Sequence, residues 1–66
     1  MNSHEYVTKL QQQVDELATE IRNLRDRATQ LSFEARVTYE KKIAELQHRR
    51  DQLLRRMEMA QDLAVL

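Results

Sequence analysis

Glycine, proline, cysteine and tryptophan are all missing from this 66-residue chain, and their absence excludes most folds. Tight reversals between strands draw on Gly, Asn and Asp, which tolerate positive φ or brace the turn through a short side chain. The only asparagines are Asn2 and Asn23. With no thiol there is no disulfide frame, and cysteine usage says nothing of redox compartment. An excess of one charge is also missing. Eleven Lys and Arg balance eleven Asp and Glu, which removes the broad electrostatic case for nucleic acid or anionic membrane as main partner. Long hydrophobic runs are lacking too. The longest covers 63–66, far short of the roughly 20 residues that span a bilayer. The polar start Met1-Asn2-Ser3-His4-Glu5 does not lead into the apolar stretch of a secretory signal. A soluble, cytoplasmic protein without a membrane span is the expectation.

Hydrophobic residues make up 41% of the chain and charged residues 33%, the balance of a long helix or coiled coil. From Val7 the apolar positions are Val7, Leu10, Val14, Leu17, Ile21, Leu24, Ala28 and Leu31. Their spacing alternates between three and four, an a/d heptad stripe that supercoils against a partner. β-Branched Val7, Val14 and Ile21 occupy a, and Leu10, Leu17, Leu24 and Leu31 occupy d. In parallel coils that choice favours two strands. Glu20 and Arg25 stand at g and e, whereas Gln11, Gln13 and Ala18 carry no charge information, so strand orientation is weakly specified. A second stripe runs through Tyr39, Ile43, Leu46, Arg50, Leu53, Met57, Ala60 and Ala64, one residue out of step with the first. Arg50 interrupts it, and Leu54 widens it toward bundles of more than two helices.

The phase slip falls between Leu31 and Tyr39, and two all-α architectures absorb it within a single coiled-coil unit. In one, a nearly continuous helix carries an i to i+4 ladder through Leu31, Ala35, Tyr39 and Ile43 and associates as an oligomeric coiled coil. A helix over 4–62 is about 90 Å long at about 1.5 Å per residue. In the other, the chain folds back near 32–34, so that Leu31 faces Arg36, Ala28 faces Tyr39 and Val7 faces Ala60, and two hairpins dock as a four-helix bundle. Only Thr29 and Ser32 offer caps at the turn, and Phe33 and Val37 suit an exposed loop poorly. The absence of breakers favours the continuous helix. At the start, Asn2 with Glu5 reads as a capping box. Either form leaves apolar surface in water as a monomer, so an oligomer of two to four copies is expected.

Side chains that carry chemistry are few. Glu45 and His48 have the Glu-x-x-His spacing of carboxylate-bridged metal bundles, but with Leu46 at d they fall at c and f, facing solvent, and no metal or other cofactor is expected. Arg49, Arg50, Arg55 and Arg56 form the one dense basic patch. Helical basic stripes can track phosphates, yet stacking aromatics are absent there and Glu45, Glu58 and Asp62 flank it. Ion pairs Glu45–Arg49 and Asp51–Arg55 at i, i+4 are the plainer expectation, with Arg50 snorkelling or paired across the seam. The apolar end, Met57, Met59 and 63–66, either caps the bundle or docks another protein. No glycine loop, Ser/His/Asp set or inward carboxylate pair appears, which argues against an enzyme.

The segments His4-Glu5-Tyr6-Val7, Lys9-Leu10, Ala35-Arg36, Tyr39-Glu40-Lys41, Ile43, Glu45-Leu46 and Arg50-Asp51 resemble short uncharacterised bacterial coiled-coil proteins. The resemblance implies a bacterial origin and an oligomeric helical role, with no functional residues to carry over. The expected function is a self-associating scaffold, an assembly factor or adaptor for a larger protein. Its seam is Val7, Leu10, Val14, Leu17, Ile21, Leu24, Ala28, Leu31, Ala35, Tyr39, Ile43, Leu46, Leu53 and Met57. The alternative is a small helical RNA-binding regulator using the arginine patch.

Overall fold

The computed structural model describes residues 3–65. Two helices, α1 (Ser3–Ala28) and α2 (Phe33–Val65), pack against each other through their stripes. The continuous helix is therefore not formed. At about 1.5 Å per residue a straight helix over 3–65 would reach about 95 Å, whereas the molecule is 51 Å long and 14 Å across in Cα positions. The long dimension is that of α2 alone, 33 residues or about 50 Å.

The reversal at 29–32 is made without any positive φ among the described residues. The end of α1 tightens first. Thr29 N still donates to Arg25 O in the i to i−4 manner at 3.3 Å, and then Gln30 N to Arg27 O at 3.1 Å and Leu31 N to Ala28 O at 3.2 Å make the i to i−3 step that often closes a last turn. Arg36 adds side-chain donors to the carbonyls of this ending, joining Leu31 N on Ala28 O and reaching Leu31 O. Its Nε donates to Ala28 O at 3.2 Å and its Nη2 to Leu31 O at 3.4 Å. Ser32 starts α2 as its N-cap. Its Oγ accepts from Ala35 N at 3.5 Å and its carbonyl from Arg36 N at 2.9 Å. Phe33 and Val37 flank this turn and stand 78% and 43% exposed. Their apolar character, which argued against a reversal here, did not prevent one. The capping box of Asn2 with Glu5 lies outside the described residues.

Leu10, Val14, Leu17, Ile21, Ile43, Leu46, Leu53 and Met57 form the buried cluster, with Val7 and Leu24 packed against it; Ala28 is buried nearer the turn. Leu31, Ala35 and Tyr39 are half-buried. The stripe expected to seal one chain against another thus meets its partner within one chain. A hairpin also removes the conflict of phase, because the two stripes no longer share one helix and the turn absorbs the extra residue.

Candidate functional site

Antiparallel pairing brings like flanks together, e beside e and g beside g, so two dissimilar grooves run along the hairpin. The first is lined by Arg25, Ala28, Thr29, Arg36, Glu40, Ile43 and Gln47 and encloses about 530 Å³. Arg25, Glu40 and Gln47 hold its e positions, while buried Ala28 and Ile43 supply an apolar floor. Arg36 is committed to the turn carbonyls. Farther along the same flank lie half-buried Ala18 and Leu54, which is 39% exposed.

The second groove, on the g flank, is lined by Gln13, Arg49, Gln52, Leu53 and Arg56 and encloses about 380 Å³. Arg49 and Arg56 are brought to it together because seven residues are two heptad-registered turns. Neither forms an ion pair among the described residues. The other two arginines of the sequence patch go elsewhere. Arg50 lies half-buried on the α2 stripe and pairs with its neighbour Asp51 at 3.2 Å, not with a carboxylate across the seam. Arg55 is exposed at an f position and lines neither groove. The Glu45–Arg49 and Asp51–Arg55 pairs are not formed; Asp51 turns to Arg50, which reaches it with Nε as well as Nη2, both at 3.2 Å.

Glu45 and His48 are exposed, and among the described residues no group of three His, Cys, Asp or Glu is placed to hold a metal ion. The open end of the hairpin presents Tyr6, Met59 and Leu63, which are 40%, 65% and 69% exposed. Among the described residues no helix is long and apolar enough to cross a membrane. The apolar-floored groove and the parts of Gln13 and Gln52 in the second were missed from sequence. Assigning e and g labels to both helices under antiparallel pairing would have found the first groove and Gln13, but not Gln52, which stands at c. Compared with known proteins, the chain matches no family model, no curated protein and no solved structure.

Proposed function

We propose that the chain is a non-enzymatic scaffold whose hairpins self-associate into a four-helix bundle and present its ends to a larger protein. The observation that carries this reading is surface area. A compact monomer of 7.9 kDa exposes roughly 4,400 Å², whereas this hairpin exposes 5384 Å². The difference, roughly 1,000 Å², is close to one partner's share of a standard interface, about 800 Å². A two-helix layer has one buried seam and no second layer to cover its flanks. Sedimentation equilibrium over a wide concentration range tests the reading. A mass of two chains at micromolar concentration is expected, and a single chain throughout would overturn it. The exposed trio Tyr6, Met59 and Leu63 supports an adaptor role at the open end.

The second reading, binding of a single RNA strand or other polyanion, is favoured by the juxtaposition of Arg49 and Arg56 in a polar groove. Its signature is affinity that falls steeply with salt, because phosphate contacts release counterions. Binding that is absent or insensitive to salt removes it.

A further inference from the structure

The e flank has the pattern of a two-fold interface, and we infer that a second copy of the hairpin docks on it with its ends reversed, α1 crossing α1 at Ala18 and α2 crossing α2 at Gln47. This rests on the self-association proposed above and adds the face, the direction and the contacts.

The e positions of α1 are His4, Gln11, Ala18 and Arg25, and those of α2 are Phe33, Glu40, Gln47, Leu54 and Gln61. An isologous contact requires residue i to meet j while j meets i. A two-fold axis perpendicular to the helices and lying between the hairpins satisfies this on both helices at once, because Gln11 and Arg25 stand one heptad either side of Ala18, and Glu40 and Leu54 one heptad either side of Gln47. These two residues also lie at nearly the same height. The grooves show that neighbours of Gln13 are Arg49 to Arg56, and neighbours of Ala28 are Arg36 to Ile43, so the levels of Ala18 and Gln47 nearly coincide.

Three features fit that axis. Ala18 is small, which lets two helices approach closely. Leu54 of the second copy comes level with Glu40 and Ile43, where the apolar-floored groove lies open between Arg25 and Glu40, and the exchange is reciprocal. Arg22 and Asp15, next to the e row and each exposed, fall opposite one another across the axis, giving two symmetric ion pairs. The g flank lacks this symmetry. Its large apolar members, Tyr6 and Leu63, lie at one end, and Arg49 and Arg56 would be brought toward arginines of the second copy.

The chain has no native cysteine, so single cysteines report on the face directly. Ala18→Cys and, on the other flank, Gln13→Cys are each treated with a short bismaleimide, and mass is measured on the untreated wild-type chain. The expected result is a dimer in which Ala18→Cys joins two chains and Gln13→Cys does not. A dimer joined through Gln13→Cys, through both or through neither overturns this face and leaves self-association standing. A monomer overturns both. Leu54→Glu supplies a check that needs no cross-link. It should weaken the dimer about a hundredfold or more, since two symmetric leucines lose their burial, while helical circular dichroism at high concentration is retained. Unchanged dimer affinity in that variant counts against the docking.

Discussion

The guanidinium of Arg36 reaches back eight residues to Ala28, and its two hydrogen bonds set where α1 stops, where Leu31 points its carbonyl and how α2 departs. Helices usually end on a glycine at positive φ, and none exists here. Replacing Arg36 with Met keeps the stem and removes both donors, for a loss of about 1 kcal/mol; in a domain of this size that lowers the melting temperature by about 4–8 °C. Arg36→Lys recovers only part, because a single ammonium lacks the forked donors. Thermal melts of the two variants check the order. In the seam, Ile21 is 2% exposed, and Ile21→Ala should cost about 2–5 kcal/mol. Total stability for a chain this small is only several kcal/mol, so urea titration should find that variant largely unfolded. Arg50 gives the opposite sign. Its exposed pair with Asp51 is worth little, and Arg50→Leu would continue the α2 stripe opposite Leu17, raising the urea midpoint.

At the scale of the elements, both helices and the stripe along each were readable because apolar residues three and four apart share one face of a helix and no single face of a strand. Leu10, Val14, Leu17, Ile21, Ile43, Leu46, Leu53 and Met57 all stand in the a/d sets and all are buried. The turn was not readable in the same way. Its N-cap, Ser32, is local and was visible, but the partner for the end of α1 is a side chain on the next helix, and no short motif announces it. Apolar Phe33 and Val37 pulled the reading toward a continuous helix. The grooves were obscured for a related reason, since e and g labels acquire meaning only once the direction of pairing is known. Changing Thr29, Gln30, Ser32 and Arg36 together to Ala removes its caps and installs strong helix formers, and short hinges of this kind invite exchange between chains. Small-angle scattering of that variant should show a rod of about 95 Å, formed by two straight helices, in place of a compact bundle. A length unchanged from wild type would mean that packing alone, without the caps, holds the reversal.

For the whole molecule, the two flanks divide the work that a hairpin surface can do. One carries Ala18, Gln47 and Leu54 with a groove floored by Ala28 and Ile43, and it suits a second copy. The other carries Arg49 and Arg56 and would stay outward in the proposed bundle. In the proposed dimer, arginine grooves would lie on opposite outer faces, available to an anionic partner without disturbing the contact between copies. The double variant Arg49→Gln, Arg56→Gln should therefore leave dimer affinity within about twofold, because surface charges away from an interface contribute little to it, while abolishing any salt-sensitive binding of RNA. Fluorescence anisotropy with a labelled single strand, alongside sedimentation, separates these two effects.

As proposed, one hairpin leaves too much surface open and closes it with another. Small-angle scattering with absolute mass on the wild-type chain puts that to the test in one measurement. Twice the 7.9 kDa chain mass with a longest dimension near that of one hairpin, 51 Å between Cα extremes plus side chains, is the expected result. A particle of one chain at every concentration, or a two-chain rod approaching twice that length, would contradict it.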